Sequence, residues 1–241
     1  MTFSWEEFGW EELADGVGRR RLPVWDATVA LVAGPSGALL FDTGSSLREG
    51  AEIRTQVQAL LGGRRVTHIV LSHPHFDHVL GTGAFAGAQI HAAAGMEKAL
   101  AENGREELRL DAVRQGLPES EASAAADVVI RPHHLITHEW TVDLGGGREV
   151  RLCLAGPAHS PYDLVAWIPD AGVLLAGDLI EESGEPQAGP DATSSRWPLA
   201  LDRLLALGGP DARYVPGHGS VVDAAFVRTQ RDALAALHGV S

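Results

Sequence analysis

The chain has 241 residues, 45% of them hydrophobic, enough to bury one compact core or two tightly fused halves. Its formal net charge of −13 leaves no basic footprint for nucleic acid, and Arg19-Arg20-Arg21 is too short to supply one and reads as solvated surface. MTFSWEEFGWEELADG lacks a basic n-region and an apolar h-region, no apolar run is long enough to cross a bilayer, and a single cysteine excludes an internal disulfide, so a cytoplasmic protein with no membrane partner is expected.

In chain order, residues 1–25 are expected to be peripheral to one domain spanning 1–241. Short β-rich runs follow at 28–33 and 38–41. Ile53, Val57, Leu60 and Leu61 then share one face of a helix over 48–61, which Gly62-Gly63 stops. A strand over 66–71 comes next. Residues 95–126 are Ala-rich and charged. They read as a helical insert broken near Gly116 and Pro118, able to cap a site or cover a sheet. Further strands are expected over 128–130, 140–144, 150–154, 164–168, 173–176 and 213–215. Helices are expected over 198–207 and 223–237. Cys153 lies in an apparent strand and reads as a small core residue, not a nucleophile.

A faint repeat links the halves. Gly37–Asp42 leads through a helix to a strand ending in His73-Pro74-His75. Gly172–Asp178 leads through a helix to Tyr214-Val215-Pro216-Gly217-His218. Two sheet-plus-helix halves, packed sheet on sheet with helices outside, would bury these apolar strands.

Residues 71–81, LSHPHFDHVLG, crowd three histidines and an aspartate directly after an apolar run. Residues i and i+2 of an extended segment point the same way, so His73 and His75 can reach one metal. Asp77 and His78 follow as the chain turns toward a helix and can aim at a second point. Two metals ~3.5–4 Å apart would use all four. Chance alone yields such a cluster in roughly one sequence in a thousand of this composition. The remaining donors should lie at distant strand ends. His159, Asp178 and His218 each follow an apolar strand that runs into a tight loop.

HPHFDH matches the HxHxDH signature of the metallo-β-lactamase superfamily, and the chain resembles that family over roughly residues 26–238, with His159, Asp178 and His218 matching its later ligand motifs in order. The resemblance implies an α+β fold, a four-layer αββα sandwich of two similar halves. It implies that His73, His75 and His159 hold one metal, that Asp77, His78 and His218 hold the other, and that Asp178 bridges. Asp42, in Leu40-Phe41-Asp42-Thr43-Gly44, matches an aspartate that orients a ligand by hydrogen bond. Two zinc ions per chain are expected, with iron or manganese as alternatives.

The implied activity is hydrolysis of an ester, thioester, lactone or lactam by a metal-bridging hydroxide. Asp77 is the expected proton carrier, and the expected partner is a small-molecule substrate. An iron-dependent redox enzyme resembling persulfide dioxygenases, or a metal-binding protein without catalysis, are the competing readings. Ser160 beside His159 does not make a triad, because no third member is visible. Glu181 stands where homoserine-lactone lactonases usually place tyrosine, which weakens that substrate. Tyr162 stands where glyoxalase II relatives carry glycine. Phe76 is expected to face the pocket. Trp25, Tyr162 and Trp197 are rim candidates, with core packing favoured for each. His91, His133, His134 and His138 are expected to be structural or surface residues.

Overall fold

The computed structural model describes residues 3–240. Two sheets stack face to face between two layers of helix. The first has seven strands in sequence order: β1 (Glu11–Ala14), β2 (Val17–Arg21), β3 (Thr28–Ala33), β4 (Ala38–Phe41), β5 (His68–Val70), β6 (Gln89–Ala93) and β7 (His134–Ile136). The second has five, in the order β12 (Arg213–His218), β11 (Val173–Glu181), β10 (Leu164–Ile168), β9 (Glu149–Leu154) and β8 (Glu139–Asp143).

Period-two alternation explains the layering. In β3, Ala30 and Val32 face the second sheet, while Val29 and Leu31 face the outer helices. In β11, Val173 and Leu175 face the first sheet, while Leu174 and Ala176 face outward. Strands buried on both faces need apolar residues throughout, which is why β3, β4 and most of β11 read as continuous apolar runs. Over the first sheet pack α1 (Leu47–Leu60) and an insert of α3 (Met96–Ala99), α4 (Glu102–Arg114) and α5 (Glu119–Val128), with the one-turn α2 (Phe76–Val79) between them in sequence. Over the second pack α6 (Trp197–Gly208) and α7 (Ala224–His238). Among the described residues no helix is long and apolar enough to cross a membrane.

The internal repeat is a pair of parallel crossovers. β4 leads through α1 to β5 alongside it, and β11 leads through α6 to β12. Both crossovers deliver their metal-capable residues to the same edge of the sandwich.

Three expectations need correction. Of residues 1–25, the described part, 3–25, does not lie outside the core. β1 and β2 extend the first sheet, and Trp5 and Trp10 are buried in it. Arg19 is not solvated surface. It is 4% exposed, and its guanidinium donates to Glu11 Oε2 at 2.7 Å and to Gly219 O at 2.8 Å. Residues 128–130 form no strand. Val128 closes α5 and Val129 packs into the outer core; the seventh strand lies six residues further on, at His134–Ile136. A short apolar run cannot be told from a buried helix end by periodicity.

Trp5 sits against Gly18, where an added Cβ would lie 2.5 Å from its ring. Trp5→Ala is expected to cost about 3–5 kcal/mol, read from the urea midpoint at unchanged slope. A loss under about 1 kcal/mol would mean that the N-terminal strands are dispensable.

Candidate metal centre

The site is assembled where β4, β5, β9, β11 and β12 end or break. β4 hands over to Asp42, whose φ of 60° is unusual for a residue with a side chain. Its carboxylate is 1% exposed and fully engaged. Oδ1 accepts from Ser72 N at 2.8 Å, and Oδ2 accepts from Ser72 Oγ at 2.7 Å and His78 Nδ1 at 2.8 Å. The strained backbone therefore sits at the residue that ties the β4 end to the histidine loop.

After β5 the chain passes through Ser72 and His73 to α2, which carries Asp77 and His78. His159 lies on a loop after β9 that Asp163 pins by accepting from Ala158 N, Ser160 N and Ser160 Oγ. Burial pushes the Asp163 carboxyl up to about 7. Asp178 does not end its strand. β11 runs on to Glu181, and Gly177, at φ 57°, shifts the register against β12 and re-aims Asp178. His218 closes β12.

The hydrogen bonds fix which ring nitrogen of each histidine is free. Ser72 Oγ donates to Asp42, so it accepts from His73 Nδ1 at 2.8 Å. His78 Nδ1 donates to Asp42, His159 Nδ1 to Gln187 O at 3.1 Å, and His218 Nδ1 to Trp25 O at 2.8 Å. His75 is turned the other way, its Nε2 donating to Asp191 Oδ2 at 3.3 Å. The remaining nitrogens, Nε2 of four rings and Nδ1 of His75, point inward and carry lone pairs when the rings are neutral. His75 Nδ1 and His159 Nε2 face each other at 3.0 Å. His73 Nε2, His78 Nε2 and Asp178 Oδ1 are buried without a hydrogen-bond partner.

Ligand atoms of His73, His75, His159 and Asp178 all lie within 4.8 Å of one another, and those of Asp77, His78 and His218 form a second such group. Asp178 sits between the two. Its Oδ2 is 3.5 Å from both His73 Nε2 and His159 Nε2, and 3.3 Å from His218 Nε2; its Oδ1 is 3.1 Å from His78 Nε2. Imidazole nitrogens and carboxylate oxygens, all of them acceptors once the rings are neutral, suit a borderline divalent cation. All eight residues picked out from the sequence, Asp42 included, meet here.

Without a cation, protons must occupy this space. Burial lowers His78, but Asp178, Asp77 and Asp42 outweigh it and raise the ring well above the ordinary imidazole range. Burial likewise opposes His218, yet Asp178 first and Asp77 after it raise this ring to about 9. His73 is driven well down by burial, and His159 falls to about 4 for the same reason. Asp178, although burial opposes it, is held well below the usual carboxylate range by His78, His73 and His218.

The centre floors a cleft of about 1020 Å³. Trp25, Phe76 and Tyr162 line it, and α4 supplies part of its wall. Trp197 is fully buried behind His159, its ring edge-on at 5.3 Å and its Nε1 donating to Leu179 O. His91 is buried, stacked on His134 at 4.5 Å, and neither lines the cleft. The sequence reading missed Ser72, Asp163 and Asp191 and the carbonyls of Trp25 and Gln187. Only Ser72, adjacent to His73, carried a readable signal.

The model of the metallo-beta-lactamase superfamily matches residues 22–218. The chain belongs to the metallo-beta-lactamase superfamily. The metallo-beta-lactamase type 2 of Bacteroides fragilis is 34% identical over 91 residues, 36% of each protein. That of Bacillus cereus is 23% identical over 175 residues, 71% of this chain and 59% of the relative. The matched stretch thus spans less than two thirds of these relatives' length. The metallo-beta-lactamase DIM-1 shares the fold at a TM-score of 0.73 and 15% identity, over 95% of this chain and 97% of its own. A metallo-beta-lactamase from Pontibacter korlensis does so at 0.70 and 22%, over 93% and 97%. FIM-1 from Pseudomonas aeruginosa, in its mono-zinc form, gives 0.71 and 17%, over 95% of each chain.

The metal-free protein is expected to lose stability as pH rises from about 6.5 to about 9. The folded value for His218 of about 9 lies above the ordinary imidazole value of about 6.5, so in this window the folded state binds more protons than the unfolded one. The depressed rings, His73 and His159, titrate below that window. Urea unfolding in chelator across this range measures the slope; a flat or rising profile would refute it.

Proposed function

We propose that the protein is a metal-dependent hydrolase that binds two zinc ions and opens an ester, thioester, lactone or lactam bond in a small molecule. The observation that carries this reading is the convergence of five imidazole nitrogens and two carboxylates at the floor of an open cleft. His73, His75 and His159 would hold one ion, and Asp77, His78 and His218 the other, with Asp178 between. The distances from both Asp178 oxygens to rings of both groups support the shared role. The mono-zinc form of the structural relative FIM-1 supports zinc as the element.

Bound metals supply a water acidified toward neutral pH and a Lewis acid for a carbonyl. The chain supplies the rest. Hydrolysis gives the acyl carbon a hydroxyl and the departing atom a proton, so a carrier for that proton is required. Asp77 is placed for it. It lines the cleft, it is 8% exposed, and its Oδ2 stands 3.5 Å from His218 Nε2 and 3.6 Å from His78 Nε2. Neither Ser160 nor Cys153 competes as nucleophile. Ser160 Oγ donates to Asp163 and accepts from Tyr162 N, so its hydroxyl is committed within the loop. Burial raises the Cys153 thiol to about 11, which keeps it protonated.

Protein purified without added metal is expected to carry close to two zinc per chain by elemental analysis, with clear losses in His75→Ala and Asp178→Ala. A folded wild type that takes up no metal even on reconstitution would overturn the reading. Asp77→Asn is expected to lower kcat by roughly 10²–10⁴ on a substrate from an ester, thioester and lactone panel. Unchanged kcat in that variant would remove Asp77 from proton transfer.

A further inference from the structure

We infer that the substrate carries an organic cation, an ammonium or its equivalent, received by Glu181 on the His218 side of the centre. This rests on the hydrolase reading and narrows its substrate class.

Glu181 is the last residue of β11 and stands opposite His218 in the β11–β12 ladder. It lines the cleft and is 7% exposed. Its carboxylate is held by neutral donors alone. Ser183 N and Ser183 Oγ both donate to Oε1, at 3.0 Å and 2.6 Å. Its backbone is fixed as well, its N–H donating to Gln230 Oε1 at 3.1 Å. Among the described residues no lysine or arginine pairs with it. The His218 ring offsets part of the cost of burying this carboxylate, and a cation arriving from the cleft would offset more.

The rest of the wall does not favour an anion. Of its two cationic side chains, Arg114 is paired with Asp111 at 3.0 Å, and Lys98 shares the α3–α4 wall with Glu107. Glu185 and Asp191 add further negative charge on the segment after β11. The metals would be positive, but Asp77 and Asp178 return part of their charge at the floor. An anion that develops there is accommodated, while a charge held to the side meets carboxylate. Trp25 adds an aromatic face to the same cleft. Its carbonyl accepts from His218 Nδ1, its ring meets Phe76 edge-on at 5.2 Å, and it lines the same cleft. An aromatic face in a cleft that also holds a carboxylate suits a quaternary or primary ammonium.

The test uses zinc-loaded protein and three acetate esters matched in shape: a trimethylammonioethyl ester, its neutral 3,3-dimethylbutyl isostere and an anionic carboxyethyl ester. Binding of the corresponding non-hydrolysable methyl ketones is measured by calorimetry alongside. The wild type is expected to favour the cation over the neutral isostere at least tenfold in kcat/KM and in Kd, and to disfavour the anion. In Glu181→Gln, which keeps an acceptor for Ser183, the cation-to-neutral ratio is expected to fall at least tenfold. A wild type indifferent to charge or preferring the anion would overturn the inference, as would a ratio unchanged in Glu181→Gln. If no ester is hydrolysed, the hydrolase reading fails separately, and the order of ketone binding still decides this one.

Discussion

Five imidazole lone pairs and two carboxylates cannot be packed together without a cation or a set of protons to join them. Their mutual repulsion is the constraint on which the rest of this structure depends. Each ring must be held from behind, by a bond to its other nitrogen strong enough to stop it turning away. Every ring of the centre has such a bond, and the five acceptors come from different places: a serine hydroxyl, two carboxylates and two backbone carbonyls. Asp42 is the hub. It fixes His78 directly and His73 through Ser72, so one buried carboxylate controls a ring in each ligand group.

The sandwich exists, in this view, to carry those acceptors to one edge. Parallel crossovers place Asp42 and the histidine loop at the end of one β–α–β unit, and Asp178 and His218 at the end of the other. The N-terminal strands take part as well. Arg19 of β2 donates to Gly219 O, one residue beyond His218, and Trp25 offers the carbonyl that orients His218. Glycine provides clearance where strands approach the ligands. A side chain at Gly217 would collide with Asp178 Oδ1, and one at Gly81 would collide with Thr43 O, next to Asp42.

How much of this the sequence carries depends on where each signal lies. The ligands were legible because each is a residue type with few other reasons to follow an apolar strand. His73 to His78 were plainest, being nearly consecutive. The αββα layering was legible from the apolar runs that become β3, β4, β10 and β11. The strands β1 and β2 were not, because EELA and VGRRR lack β-branched alternation, and Arg19 is buried only through partners distant in sequence. The groups behind the rings were hidden for a different reason. A backbone carbonyl has no identity in sequence, and Asp191 meets His75 across 116 positions.

The same repulsion shapes what the metal-free chain must be. Protons replace the cations, which is why His78 and His218 are raised while Asp178 is lowered: the acid and its bases share charge that a metal would otherwise neutralise. Binding a metal must then expel protons, and its affinity must rise with pH until the raised rings are neutral. His73 and His159 stand apart, since burial already keeps them deprotonated. The group of His73, His75 and His159 therefore has two ligands ready at neutral pH, whereas the group of Asp77, His78 and His218 must first release protons from both rings.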